Sequence, residues 1–216
     1  MEIAAKIDRA KYDVFRWRYE LSIPKKLVVA VGLACIVGLL AQVRFPIPWS
    51  PVPITGQTFA VLLAGVLLGR RWGGASLAIY AGLGAVGVPW FSGWASGLGA
   101  TGGYIVGFIL AALFLGHFTD KYIRARSFLS MLVLMLFANF ILIYVPGLIW
   151  LGLWLNMVAG TSAASFAALL GMGLLPFIAG DITKAVLAAA IARGITPKLA
   201  YNGEVDKGKW ASWHIP

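Results

Sequence analysis

Long apolar runs separated by short charged connections dominate the chain from residue 27 to residue 193. Hydrophobic residues make up 60% of the 216 residues, which indicates a membrane protein and not a soluble domain. A helix that crosses a bilayer satisfies its backbone hydrogen bonds internally. The sequence therefore predicts an all-α integral membrane protein, a bundle of six transmembrane helices. The predicted spans are Leu27–Val43, Gln57–Leu68, Trp72–Val86, Thr101–Phe118, Ser127–Val145 and Gly173–Arg193.

The lysines and arginines are distributed unevenly among the connections. Of 18, sixteen lie in the two terminal segments, with Arg193 at the end of the last span counted in the second of them, and in the second and fourth connections. Only Arg44 lies in a connection on the other side. Basic residues concentrate on the cytoplasmic side of membrane proteins. The pattern predicts a multi-pass protein of the cell membrane with both termini in the cytoplasm, and it explains the net charge of +10 without nucleic acid.

The same layout divides the chain into three parts. Residues 1–26 form a cytoplasmic segment whose aromatic residues suit an amphipathic helix on the membrane surface. Residues 27–193 form the membrane domain, and residues 194–216 form a cytoplasmic tail. Pro146–Met172 is apolar but interrupted by glycines and by Asn156. We expect it to be an outer-face segment, partly helical, because a further crossing would move the last basic residues outside.

Asp181 and Lys184 are the acidic and the basic residue inside the predicted spans, both in the last one. Residues three apart share one face of a helix. A charge at membrane depth costs roughly 3 kcal/mol and is normally paired and functional. A structural ion pair is the alternative, although buried pairs are weak stabilisers. The pair is therefore predicted to anchor a small molecule, in a pocket that opens outward because Asp181 lies about two turns from the outer start of the span.

Two outer connections flank this predicted site. Arg44–Gly56 contains four prolines and is predicted to be stiff and extended. It is either a rigid surface turn or a plug over the outer mouth, with Trp49 pointing inward and Arg44 or Gln57 offering polar contacts.

Gly87–Ala100 combines glycines with Trp90, Phe91 and Trp94. The rings suit either an aromatic belt at the membrane surface or a mobile lid over an amphipathic ligand. Thr101-Gly-Gly-Tyr104 then begins the fourth helix, whose first N–H groups suit an anionic group.

Ala30, Ala34 and Gly38 form a stripe of small residues on the first span. Such a stripe either packs inside the bundle or faces outward as a docking strip for another membrane protein. Asn139 in the fifth span is predicted to form an interhelical hydrogen bond, with a ligand contact as the lesser alternative.

The chain lacks the motifs that are typical of several classes of function. The chain has no P-loop for ATP, no nucleophile–histidine constellation in its spans and no cluster of metal-ligating residues. An intramembrane enzyme that uses Asp181 and Lys184 as acid and base lacks a third polar group. The sequence fits a binding protein that depends on a separate subunit for energy better than a transporter that couples transport to an energy source by itself.

Four blocks of the sequence resemble, in order, those of the BioY family, the biotin-binding S components of energy-coupling factor (ECF) vitamin transporters. The blocks are PVPITGQTFAVLLAG (Pro51–Gly65), GLGATGGYIVGF (Gly97–Phe108), YVPGLIWL (Tyr144–Leu151) and PFIAGDITKAVLAA (Pro176–Ala189). The resemblance covers most of the chain between residues 27 and 193. It implies the six-helix S-component fold with a biotin site near the outer surface and no cofactor besides the ligand.

The resemblance also implies partners and residue roles. An S component docks onto a transmembrane T component that carries two ABC ATPases. The family's aspartate and lysine match Asp181 and Lys184, which by resemblance contact biotin. The family's small-residue motif matches Ala30 and Ala34, which favours docking over packing. An S component for another vitamin is the nearest alternative. The candidate ligand-binding residues are Asp181, Lys184, Trp90, Phe91, Trp94, Tyr104, Arg44 and Gln57.

Overall fold

The structure is a computed structural model that describes residues 2–158, 165–201 and 203–210. Helices account for most of these residues, and one short β-hairpin interrupts them. The elements are α1 (Glu2–Glu20), α2 (Ile23–Leu40), β1 (Arg44–Ile47), β2 (Ser50–Thr55), α3 (Gln57–Ala85), α4 (Gly102–Lys121), α5 (Phe128–Phe137), a π-helical turn (Ala138–Ile143), α6 (Tyr144–Val158), α7 (Phe166–Gly173), α8 (Ile178–Ile195) and α9 (Lys207–Trp210). Short 3₁₀ turns at Arg124–Arg126 and Leu175–Phe177 precede α5 and α8.

Within the described residues, four helical stretches are long and apolar enough to cross a bilayer. They are Ile23–Leu40, Gly102–Lys121, Phe128–Val158 and Phe166–Ile195. Many large apolar side chains on these stretches are exposed at the molecular surface, which is the arrangement expected of helices surrounded by lipid. The chain is therefore an integral membrane protein, as the sequence predicts.

Helix α3 folds back on itself and supplies the second and third predicted spans. Gly69 has φ +75° and ψ 178°, which interrupts the helix between them. A Cβ added to Gly73 would lie 2.8 Å from Ala64 O and Gly65 Cα. In a straight helix these residues would be about 12 Å or more apart along the axis. The two halves of α3 therefore pack side by side.

The helix of the predicted fifth span does not end at Val145. The helix continues from α5 through the π-helical turn into α6 and ends at Val158. Pro146 lies in the first turn of α6, directly after the π-helical turn, and membrane helices tolerate proline where local π adjustments re-satisfy the freed backbone groups. Within the predicted outer segment Pro146–Met172, two stretches are thus helical, and residues 159–164 lie outside the described part of the chain.

The all-α prediction also needs a correction in the first outer connection. Its prolines exclude a helix, and β1 and β2 instead pair antiparallel with Arg44 opposite Thr55 and Ile47 opposite Ser50. Ser50 Oγ donates a 2.7 Å hydrogen bond to Met172 O and ties the hairpin to the last turn of α7. Trp49 at the hairpin tip is 65% exposed, so the prediction that it points inward is wrong.

The small-residue stripe of α2 lies inside the bundle. Ala30 and Ala34 are fully buried against α3, and Ser76 Oγ donates to Ala30 O at 2.8 Å. The prediction that these alanines form an exposed docking strip is therefore wrong, and close helix packing is the correct alternative. A small-residue pattern permits close approach but does not say which helix approaches.

A network of polar contacts, the basic-end clasp (Arg18, Asp120, Arg70 and Tyr201), joins α1 and the C-terminal segment to the bundle. Arg18 donates to Asp120 Oδ1 at 2.7 Å, to Tyr201 Oη at 2.5 Å and to Val66 O at 2.8 Å. Asp120 Oδ2 accepts from the Arg70 backbone N–H at 2.8 Å. Burial raises the pKa of Tyr201, so its hydroxyl remains protonated. The N-terminal helix, predicted from its aromatic residues, is thus held to the fold.

Candidate functional site

A cavity lies beneath the β-hairpin and the Gly87–Ala100 connection. Its free volume is about 60 Å³, enough for a few water molecules. Apolar side chains of the hairpin, the connection, α4, the π-helical turn and the 3₁₀ turn before α8 form part of its wall: Val52, Phe91, Ile105, Phe108, Ile143 and Phe177. Polar side chains of the hairpin, the connection, the start of α4, and of α3, α6 and α8 complete it: Thr55, Gln57, Thr58, Ser92, Thr101, Tyr104, Tyr144, Asp181 and Lys184.

The Asp181 carboxylate is the centre of the polar wall. The residue is only 2% exposed and accepts hydrogen bonds from Lys184 Nζ at 2.8 Å, Tyr144 Oη at 2.5 Å, Asn139 Nδ2 at 3.0 Å and Thr58 Oγ1 at 3.3 Å. A carboxylate has about four acceptor positions. These four donors therefore saturate Asp181 and satisfy the charge that burial would otherwise disfavour.

The π-helical turn explains how two of these donors converge. The backbone N–H of Tyr144 donates to Asn139 O, five residues earlier, which is the π pattern. Five residues in an α-helix advance by about 500°, so Asn139 and Tyr144 would not share a face there. The wider turn directs both side chains to the same Asp181 oxygen. The predicted interhelical hydrogen bond of Asn139 is confirmed.

Lys184 stands at the edge of the cavity. Its side chain is 19% exposed, and Nζ donates to Asp181 and, at 3.1 Å, to Thr58 Oγ1. An ammonium group has three N–H donors. Two are used within the described residues, so the third is available to an acceptor in the cavity.

Three other predicted site residues also line the cavity. Gln57 is buried, donates to Tyr80 Oη at 2.7 Å and accepts from Thr55 Oγ1 at 3.1 Å. Tyr104 donates to Gly173 O at 2.8 Å, which fixes its ring against the cavity. Phe91 is buried and lies edge-on to Tyr80 with 5.2 Å between the ring centres.

Trp90, Trp94 and Arg44 lie outside the cavity lining. Trp90 donates through Nε1 to Tyr80 O at 2.9 Å, and its ring lies 5.2 Å from the Tyr80 ring at a tilt of 35°. Trp94 is 61% exposed, with its backbone N–H bonded to Gln42 Oε1 at 3.0 Å. The Arg44 guanidinium covers Gly93, where an added Cβ would collide with Nη1. These residues shape the connection that covers the cavity.

Sequence reasoning missed Ser92, Thr58 and Tyr144. Ser92 Oγ is buried beside the cavity and has no hydrogen-bond partner within the described residues. An unpaired buried hydroxyl costs about 1–3 kcal/mol, so its presence at a cavity points to a ligand or water. In the sequence, Ser92 follows two aromatic residues and precedes a glycine, and this pattern does not indicate a ligand contact. Among the described residues, no group of three His, Cys, Asp or Glu side chains is placed to hold a metal ion.

Comparison with known proteins identifies the family of this chain. The profile described as the BioY family matches residues 11–201, most of the sequence. The chain belongs to the BioY family. The membership predicted from the four sequence blocks is thereby confirmed. A relative from Methanothermobacter thermautotrophicus, named a probable biotin transporter BioY, is 56% identical over 71% of this chain and 100% of its own length.

Further BioY relatives agree with this assignment. The biotin transporter BioY of Thermotoga maritima is 34% identical over 68% of this chain and 82% of its own length. A crystal structure described as the S-component for biotin from an ECF-type ABC transporter superposes with a TM-score of 0.68 at 27% identity. That match covers 80% of this chain and 93% of the solved one, so the predicted S-component type of fold is confirmed.

Proposed function

We propose that this protein captures biotin from the outer face of the cell membrane and moves it across as the S component of an ECF-type ABC transporter. The observation that carries the proposal is the buried Asp181–Lys184 pair at the wall of a cavity in a BioY-family fold. Relatives named biotin transporters and the solved biotin S-component support the choice of ligand.

The polar and apolar walls suit the chemistry of biotin. Biotin has a ureido ring with two N–H donors and a carbonyl acceptor, an apolar thiophane ring and a carboxylate tail. The free N–H of Lys184 meets the ureido carbonyl, and Phe91, Tyr104 and Phe177 flank the thiophane ring. Because Asp181 is saturated, a ureido N–H reaches it only by displacing one of its four donors.

The cavity must widen to receive this ligand. Its free volume of about 60 Å³ is far below the roughly 300–1,000 Å³ of pockets that hold drug-sized ligands. The covering connection has glycines with positive φ at Gly87, Gly93 and Gly97. These positions allow backbone rotation that side chains would resist. The connection therefore acts as a lid that opens for biotin, with Ser92 as a polar contact on its inner side.

The proposed topology has six crossings: α2, the two halves of α3, α4, α5 with α6, and α8. Both terminal segments, residues 1–26 and 194–216, lie in the cytoplasm. With the second and fourth connections and Arg193 at the end of the last span, they hold 16 of the 18 basic residues. The described polar pair supplies binding and no energy source. A transmembrane T component with two ABC ATPases supplies the energy for transport. The chain itself acts as a substrate-binding subunit and not an enzyme.

Ligand retention tests the proposal directly. The purified protein is incubated with labelled biotin, and with labelled riboflavin and thiamine as matched controls, and bound vitamin is measured after gel filtration. We expect stoichiometric retention of biotin alone. Retention of another vitamin with none of biotin would contradict the assignment of the ligand.

A further inference from the structure

A second, larger cavity lies at the opposite end of α2 from the β-hairpin. It is a groove of about 520 Å³ between α1, α2 and the kink of α3, and its surface is almost entirely apolar. Leu33 and Ile36 of α2, Leu67 and Trp72 of α3, and Phe15 of α1 form its walls. Gly32 also lines it, and a Cβ added there would meet nothing within 4 Å. The groove is therefore open along the apolar face of a membrane-spanning helix.

One end of this groove is basic. Lys26 lines it and donates one hydrogen bond, to Tyr19 O at 2.9 Å, which leaves further N–H donors of the ammonium. Arg18 lines the same end, and its Nε is buried without an acceptor within the described residues. Nearby Asp120 is already bonded to Arg18 and to the Arg70 N–H. The charge of Arg18 is thus paired with Asp120, and its Nη donors are bonded to Val66 O, Leu67 O and Tyr201 Oη. Lys26 is the cation at this end that keeps donors for a further acceptor.

The dimensions of the groove match half a bilayer. Lys26 lies in the first turn of α2, and Ile36 lies ten residues further along the same helix. At 1.5 Å per residue this distance is about 15 Å, which is half of the ~30 Å hydrocarbon core. The groove thus runs from the depth of lipid headgroups, marked by a lysine, to about the middle of the membrane.

We propose that this groove is a binding site for an anionic phospholipid. One acyl chain lies along Gly32, Leu33 and Ile36, and the phosphate is held by Lys26. The apolar walls select a chain, and the remaining N–H donors of Lys26 select a negatively charged headgroup. Helix α1 covers the bound lipid, so the lipid also fixes α1 against the bundle.

Two neighbouring lysines give a matched test of the headgroup contact. Lys25 is exposed and is not part of the groove lining, whereas Lys26 is half-buried and lines it. The purified protein is titrated with dioleoyl phosphatidylglycerol or dioleoyl phosphatidylcholine in mixed micelles, and retained lipid is counted by native mass spectrometry. We expect Lys26→Gln to lower the preference for phosphatidylglycerol about fivefold, and Lys25→Gln to change it less than twofold. Equal losses in both variants, or no preference in the unmodified protein, would overturn the proposal.

Two glycines test the chain contact. Gly32→Leu fills the groove, and Gly82→Leu places the same side chain on α3, where an added Cβ likewise meets nothing within 4 Å. We expect Gly32→Leu to abolish retention of phosphatidylglycerol and Gly82→Leu to leave it intact, with biotin retention unchanged in both. Glycerophosphate, which has the headgroup and no chains, should not compete. If Gly32→Leu kept its lipid and instead prevented assembly with a membrane partner, the groove would be a protein interface and the proposal wrong.

Discussion

At the scale of single residues, two polar groups at the cavity differ in their hydrogen bonding: the acceptor positions of Asp181 are filled, and the hydroxyl of Ser92 is unpaired within the described residues. Asp181 has four donors, so its charge is stabilised before any ligand arrives. Ser92 Oγ has no partner within the described residues. Paired groups hold a site in shape, whereas an unpaired group gains free energy only when a ligand supplies the missing bond. The two residues therefore have different roles in binding.

Ser92→Ala tests this difference. Removing an unpaired hydroxyl should leave the thermal midpoint of the ligand-free protein unchanged or slightly raised. It should weaken biotin binding roughly three- to tenfold, since a neutral hydrogen bond is worth about 0.5–1.5 kcal/mol. Calorimetric titration and thermal unfolding in detergent measure the two effects.

Ser76→Ala is the matched control. Ser76 is buried, donates to Ala30 O and lies outside the cavity lining. The Ser76→Ala substitution should lower the thermal midpoint of unfolding and leave the affinity for biotin unchanged. If Ser92→Ala behaved in the same way as this control, Ser92 would be a structural residue.

At the scale of elements, α3 depends on its interruption. Gly69 combines a positive φ with a close approach: an added Cβ would meet Asp120 Oδ2 at 2.7 Å. Side chains other than glycine's rarely adopt this backbone conformation. Asp120 cannot easily move because Arg18 and the Arg70 N–H both bind it. One residue thus couples the fold of α3 to the clasp.

Gly69→Ala should therefore destabilise the fold by about 1–3 kcal/mol. The free energy of unfolding from an SDS titration measures the loss. Gly82→Ala, also in α3 but in an open helical position, should be neutral or stabilising because alanine favours helix. Equal stability of the two variants would show that the kink does not need glycine.

The elements also show what the sequence can and cannot predict. The Asp181–Lys184 contact follows from three-residue spacing on one helix, and the separation of the two halves of α3 follows from the charges at Arg70 and Arg71. The convergence of Asn139 and Tyr144 was not predictable, because a π-helical turn shifts the register by one residue. The continuation of the helix past Pro146 was missed because a proline stops helices in water more reliably than in membranes.

The burial of Ala30 and Ala34 illustrates a further limit. The spacing of small residues shows that some helix approaches closely, and both a partner protein and α3 satisfy that condition. Only the three-dimensional arrangement shows that α3 occupies this stripe. Replacing these alanines with bulky residues would therefore disturb the fold itself.

At the scale of the whole molecule, the two ends of the bundle have different polar architecture. One end carries the cavity, the hairpin and the glycine-rich connection Gly87–Ala100, which we propose to be a lid. The other carries the clasp, in which Arg18 joins α1, α3, α4 and the C-terminal segment. A firmly tied end and a glycine-hinged end suit a subunit that opens on one side to take up its ligand.

Arg18→Ala tests the role of the clasp. It removes the partner of a largely buried carboxylate and should lower stability by about 3 kcal/mol. It should also expose α1 to limited proteolysis. Arg16→Ala on the same helix removes only a surface pair with Glu20 and should change neither measurement. Similar proteolysis of the two variants would show that the clasp does not hold α1.

The affinity of Asp181→Asn for biotin tests the central claim most directly. The amide cannot pair with Lys184 as a carboxylate does, and a hydrogen bond to a charged group is worth about 1.5–3 kcal/mol. We expect at least tenfold weaker binding in calorimetric titration, with an unchanged gel-filtration profile and normal membrane insertion. An affinity equal to that of the unmodified protein would contradict the account, because the buried pair would then have no part in holding the ligand.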